Sequence, residues 1–375
     1  MTALPPGLRV ALVHDYLNQM GGAEQVVEVL HDLFPSAPLY VSVYDQNVMP
    51  ESFRSMDVRT SFMQRISPKR SISYKLLPLF PVAFERFDLR GYDLVLSSTT
   101  TFAKGVLTRP GTCHICYCNT PFRYLWMYQE YLENERVSPP MEAALSALAV
   151  PLRLWDYAAA QRVDYFLAGS ANAARRIRKF YRREAEVLHS PVDAASMPLG
   201  SGPGDYYLVA GRHQPYKRMD LAIAACNRLQ RRLVVTGTGP ETARLKAMAG
   251  PAVEFLGHVD RATLRRTFAG CRALLWPGEE DYGIAPVEAQ AAGRPVIALA
   301  RGGVLETVRD GITGVFFQEQ TVDALVAAMQ RAELTVFDVA TVRQHALQFD
   351  TRAFKAKLVT TVARLLAEYQ AAMQC

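Results

Sequence analysis

The chain has 375 residues, of which 50% are hydrophobic and 21% charged, with a formal net charge of +6 at pH 7. That length is too great for one ordinary α/β unit and suits two domains of roughly 150–200 residues each. The mix excludes a disordered chain, and the modest positive charge favours anionic partners such as nucleotides, phosphosugars or acidic lipid headgroups over nucleic acid.

The opening residues Met1 to Leu8 have neither the basic start nor the apolar core of a signal peptide. No stretch reaches the ~18 uninterrupted apolar residues of a membrane span, so a cytoplasmic protein is expected. Short apolar runs then alternate with helical periodicity, the pattern of parallel β/α units. In the first half, strands are expected at 9–14, 38–44, 92–97, 114–118, 163–168 and 185–189, and helices at 22–33, 141–161 and 170–181. Cys113, His114, Cys116 and Cys118 resemble a metal spacing. His114, Cys116 and Cys118 would share one face of a strand and no second ligand pair follows, so the group is read as buried structural thiols with no metal. The scattered cysteines fit reduced cytosolic thiols.

The Pro-, Gly- and Ser-rich stretch from Pro191 to Gly204 lacks periodicity and reads as the link between domains 1–190 and 205–350. The second half predicts strands at 206–210, 232–236, 252–256, 272–276, 295–299 and 314–317. Helices are expected between them at 218–230, 240–249, 260–270, 285–292 and 303–309, and after them at 321–333. Ligands bind such sheets at the loops that follow the strands. The last helix, within 351–375, is expected to cross back onto the first domain.

Three places carry chemistry. Val13-His14-Asp15-Tyr16 ends the first strand, and Gly21-Gly22 then opens a helix, where bare backbone permits close approach of a ligand phosphate or sugar. The loop is not GxGxxG, which argues against a nicotinamide or flavin cofactor. In the second half, Gly211-Arg212-His213-Gln214-Pro215-Tyr216-Lys217-Arg218 leaves a strand as a basic loop. A guanidinium with an ammonium suits the charge that grows on a departing diphosphate. Read blandly, it is a solvated basic turn. Pro277 to Gly293 turns through an acidic loop into a helix near Ala285, with Glu280 in the loop and Glu288 about one turn into the helix. Free N–H groups at that helix start suit an anion or hydroxyls, and two carboxylates so placed suit hydroxyl-rich groups flanking a diphosphate. Alternatively, Glu279, Glu280 and Asp281 only complement the helix dipole.

At these residues the chain resembles the retaining glycosyltransferase family 4, whose architecture is GT-B, two Rossmann-like α/β domains with parallel sheets facing a cleft. The resemblance runs through Gly21-Gly22, Gly211-Arg212 with Lys217-Arg218, Thr236 to Glu241, Phe255-Leu256-Gly257-His258-Val259 and the Glu-x7-Glu frame Glu280 to Glu288. The phrases Val13 to Leu17 and His114 to Pro121 look like a bacterial mannosyltransferase subgroup of O-antigen and exopolysaccharide assembly. The resemblance implies that Arg212 and Lys217 bind the diphosphate, Glu280 the donor sugar and Glu288 the ribose, with backbone help from Gly283 and Ile284. His14, Gly21, Gly22, Gly237 and His258 join the substrate-binding set. Where the family often has a histidine near the anomeric carbon, this chain has Asn119, whose amide can orient a hydroxyl but cannot take a proton near neutral pH.

The implied reaction moves a hexose, mannose from GDP-mannose as the best guess, to a saccharide acceptor, with retention and without a required metal or other cofactor. The chain has no Asp-x-Asp to bridge a metal. A nucleotide-sugar 2-epimerase of the same fold and a silent sugar-nucleotide sensor remain the alternatives. Three basic and aromatic stretches, 74–87, 121–128 and 175–183, suit a lipid-linked acceptor on an anionic inner-leaflet surface. They suit equally core-facing aromatics and a solvated helix face.

Overall fold

The computed structural model describes residues 4–67, 76–128, 139–202 and 204–374. Tyr74, Lys75 and Pro203, which fall in stretches singled out above, lie outside them. The chain divides into two compact units. One runs to Pro191 and resumes at Arg352; the other is Val192–Thr351.

The first unit is built on seven strands: β1 (Val10–His14), β2 (Leu39–Val41), β3 (Val58–Thr60), β4 (Leu94–Thr99), β5 (Cys113–Cys118), β6 (Tyr165–Ala168) and β7 (Ala185–Val187). All are parallel, in the order β3-β2-β1-β4-β5-β6-β7. Every residue of β1, β4 and β5 is buried. That is why they read as continuous apolar runs and not as alternating ones: helices cover both faces of the sheet. Leu12, Leu96 and Ile115 lie side by side in the register. They pack with Val26 and Leu30 of helix Gly22–Leu33 and with Phe354, Leu358 and Val362 of the last helix, Thr351–Met373. On the opposite face, Ala11, Val95 and Cys116 meet helices Pro139–Gln161 and Ala171–Tyr181 through Leu152, Ala160 and Ile177.

The second unit has six parallel strands: β8 (Tyr207–Ala210), β9 (Leu233–Thr236), β10 (Val253–Gly257), β11 (Ala273–Trp276), β12 (Val296–Leu299) and β13 (Gly314–Phe317). Their order is β10-β9-β8-β11-β12-β13. Leu208 and Ala210 turn to one core, Tyr207 and Val209 to the other. In both sheets the winding reverses beside the first strand, between β1 and β4 and between β8 and β11. Crevices open at the carboxyl ends of strands at such reversals, and ligands bind there.

Two features depart from the sequence reading. The stretch from Pro191 to Gly204 is not a free link. Val192, Ala194 and Met197 are buried in the second unit's core, and Val192 exchanges backbone hydrogen bonds with Phe349 (3.1 Å) and Thr351 (2.9 Å). Three apolar side chains among Pro, Gly and Ser are enough to pin it. Short elements also went unseen: β3 is three residues with no apolar period, and helix Val339–Leu347 starts at the Asp338 side chain, which accepts the Thr341 N–H at 2.8 Å. Among the described residues, no helix is long and apolar enough to cross a membrane.

Candidate active site

In the second unit the reversal between β8 and β11 brings the basic and acidic loops together. Leaving β8, Arg212 is exposed, and His213 is buried. The His213 N–H donates to the Thr238 carbonyl (3.0 Å) and its Nδ1 pairs with Thr242 Oγ1 at 2.8 Å, so the β8 loop is fastened to the loop after β9. Gly237 makes the fit possible. It has φ +100°, and a Cβ there would collide with the Gly211 carbonyl.

The chain then makes a turn at Pro215–Lys217 and sends Lys217 back over the sheet. Its ammonium pairs with the Glu280 carboxylate, above the Trp276 ring at 4.9 Å from the centroid. The loop after β11 lies directly on that turn, because Gly278 has no side chain: a Cβ would come within 2.6 Å of the Tyr216 carbonyl oxygen. Glu280 is fixed from its other side, its carbonyl accepting the Gly303 N–H at 2.9 Å. Gly283 precedes helix Ile284–Ala291, and Ile284 is half-buried at its start.

Glu288 follows one turn later and is half-buried. Burial pushes its carboxyl up to about 7, against the pull of Arg261 and Arg265 and with a smaller push from Asp193. His258 is exposed, just beyond β10, one residue past Gly257, whose carbonyl accepts the Gly237 N–H at 2.7 Å. Arg212, Lys217, Gly237, Glu280, Gly283 and Ile284 thus sit on the loops that leave β8, β9 and β11. Trp276, the last residue of β11, and His213, inside the β8 loop, join them, and nothing in their spacing marked a role for either in advance.

In the first unit, the reversal between β1 and β4 gathers His14, Asp15, Gly21 and Asn119. His14 is buried, its Nδ1 2.9 Å from the Ser98 carbonyl and its Nε2 3.5 Å from Glu24 Oε1. Burial pushes its pKa down, but Glu24, with Asp15 and the Ser98 carbonyl, outweighs this and sets it above the ordinary value. The other Glu24 oxygen accepts the Gly21 N–H at 2.8 Å. The start of the helix, with Gly22 as its first residue, therefore already holds a buried carboxylate. A ligand that approaches Gly21-Gly22 meets this carboxylate, whose charge favours a hydroxyl over a phosphate at that spot.

Asp15 lies at the centre of this unit's reversal. It accepts the N–H groups of Thr100, Thr101, Phe102 and Ala103 at 2.6–2.9 Å and the hydroxyl of Thr100 at 2.9 Å. Burial works against its charge, yet His14 and these donors hold the carboxyl below the usual range. Asn119, just past β5 and half-buried, donates through Nδ2 to Ser98 Oγ (3.2 Å) and the Thr99 carbonyl (3.3 Å). Of the Cys/His cluster, His114 Nε2 pairs with Ser97 Oγ at 2.8 Å, and burial pushes its imidazole down to about 3 and the Cys116 thiol up to about 12. Cys113 turns to the opposite face of the sheet.

Residues 204–333 match the family model described as "Glycosyl transferases group 1". A D-inositol 3-phosphate glycosyltransferase of Mycobacterium leprae is 27% identical over 342 residues, covering 78% of this chain and 79% of its own. Among solved structures, sucrose-phosphate synthase from Thermosynechococcus elongatus aligns with a TM-score of 0.73 at 17% identity, over 96% of this chain and 100% of its own. The Anabaena protein HepE in complex with UDP and glucose aligns at 0.66 and 16% identity, over 95% and 99%. The chain has the GT-B fold, and its residues 204–333 are similar to the group 1 glycosyltransferases.

Proposed function

We propose that the protein transfers a hexose from a nucleoside-diphosphate sugar to a saccharide acceptor with retention of configuration. The observation that carries this reading is the site at the β8/β11 reversal, where Lys217 and Glu280 share one spot above Trp276, within the segment that matches the transferase family. A diphosphate and a sugar hydroxyl set are the two halves of such a donor. Arg212 and Lys217 take the diphosphate, Glu280 the sugar and Glu288 the ribose hydroxyls. Charge neutralisation at the leaving group rests on the two cations, and the departing diphosphate receives the acceptor's proton while the acceptor attacks from the same face.

The acceptor belongs to the first unit, where Asn119 and His14 stand at the strand ends and Glu24 disfavours a phosphate beside Gly21. GDP-mannose is the proposed donor and a lipid-linked saccharide the proposed acceptor. One surface supports work at a membrane. Helix Pro139–Gln161 exposes Val150 (57%), Leu154 (70%) and Tyr157 (39%), at the four- and three-residue spacing of one helix face. Helix Ala171–Tyr181, packed on the same side of the sheet, exposes Arg175, Arg178 and Lys179. An apolar stripe and a basic helix face on one side of the sheet suit an anionic lipid surface.

The test is a screen of nucleotide sugars for nucleoside diphosphate release, with and without a lipid-linked saccharide. Acceptor-dependent release with a hexose donor is expected. Full release in the absence of any acceptor would favour an epimerase instead, and binding without release a silent sensor.

A further inference from the structure

The Lys217–Glu280 pair is built into the site and is not a chance surface contact. Its side chains are 12% and 20% exposed. Both backbones are pinned, Glu280 by the Gly303 N–H at 2.9 Å and Lys217 by the loop that packs on it at Gly278, where a Cβ would come within 2.7 Å of the Lys217 Cα. The lysine stem runs along Gly211, where a Cβ would meet Nζ at 3.3 Å, and the ammonium rests on Trp276. These two groups are the ones assigned above to the two halves of the donor.

We propose that this ion pair is a specificity element that makes the site favour the intact nucleotide sugar over the nucleoside diphosphate it releases, an inference that rests on the donor reading. The argument is electrostatic. Removing one partner from a largely buried pair strands the other charge, which is costly. A nucleoside diphosphate draws Lys217 to its phosphates but leaves the Glu280 carboxylate beside a new anion, with no hydroxyl to satisfy it. A sugar alone would occupy Glu280 and strand Lys217. Only a ligand that brings an anion and hydroxyls on adjacent groups satisfies both. Once the sugar has gone, Glu280 regains Lys217 and the remaining diphosphate is bound less tightly.

Glu280→Gln separates this role from simple sugar binding, because it removes the competing charge and keeps an amide at the same place. Calorimetric titration with GDP, UDP and ADP as free diphosphates, and with the matching nucleotide sugars, reads the effect. In Glu280→Gln the cognate diphosphate binds about tenfold more tightly than to the parent. The ratio of diphosphate to donor dissociation constants falls by a similar factor. Glu280→Ala repeats the tightening of the diphosphate while weakening the donor, and melting with saturating diphosphate confirms that both variants are folded. Should the parent turn over its donor while neither variant binds the diphosphate more tightly, the ion pair sets no preference and the inference falls alone. A parent that binds neither the nucleoside diphosphates nor any of the matching nucleotide sugars overturns it together with the donor reading.

Discussion

The carboxylate of Asp15 accepts the backbone N–H of Ala103 at 2.7 Å, across 88 residues of sequence. The same side chain takes three more N–H groups in a row, so one buried charge shapes the whole loop after β4. That loop borders Asn119 through Thr99, and Asp15 thereby ties the first strand of the unit to Asn119.

Asp15→Ala leaves those N–H groups buried and unpaired, with a cost of about 3 kcal/mol or more. Because the native carboxyl is held below its ordinary value of 3.8, its stabilisation is present above that pH and is lost as pH falls through the native value. Urea unfolding at pH 7 therefore separates the parent from the variant, and the gap narrows toward pH 3. A gap that is absent at pH 7 would remove Asp15 as the organiser of the loop.

Glu288 behaves in the opposite sense. Burial pushes its carboxyl up from 4.5 to about 7, so between these values the folded state holds a proton that the unfolded state has released. Relative to Glu288→Gln, the parent loses stability as pH rises from 4.5 to about 7 and changes little above. Ribose hydroxyls favour the ionised acceptor. The affinity of the parent for nucleoside diphosphate consequently gains on that of Glu288→Gln between pH 6 and 8. Parallel affinity profiles for the two proteins would show that Glu288 does not meet the nucleotide.

On the first unit, neutralising Arg175, Arg178 and Lys179 removes exposed cations from helix Ala171–Tyr181, which packs on the same side of the sheet as the helix that carries Val150, Leu154 and Tyr157. Each basic residue near an anionic surface contributes about 1 kcal/mol, so co-sedimentation with vesicles rich in anionic lipid falls steeply and the remaining binding becomes less sensitive to salt. Leu154→Glu lowers binding independently, by placing a charge in the apolar stripe. Vesicle binding untouched by both changes would leave the two helices as ordinary solvated faces.

The architecture was legible because the parallel strands are covered on both faces: runs such as Leu94 to Leu96 and Val296 to Leu299 have no other plausible environment. The β8 and β11 loops stood out by their charges, Arg212 and Lys217 in one and Glu279, Glu280 and Asp281 in the other, whereas the close backbone approaches at Gly237 and Gly278 show only in the fold. What the sequence hid are side-chain partnerships. Lys217 and Glu280 were assigned to different parts of a ligand, and their spacing of 63 residues says nothing of the ion pair they form without one. Nothing in the sequence marked Glu24, whose two carboxylate oxygens face the Gly21 N–H and His14 Nε2. Asp15 was read only as the end of a strand, because its partners lie 84 to 88 residues away.

The β8 and β11 loops are proposed to bind and activate a nucleotide-sugar donor. Steady-state transfer from the donor found by screening, compared among the parent, Arg212→Ala and Lys217→Ala, tests this most directly. Each substitution removes a cation that stabilises charge growing on the leaving group, and turnover falls by about 10²-fold or more in each while the proteins stay folded. Near-parental rates in both variants would contradict the assignment and place the donor elsewhere on the molecule.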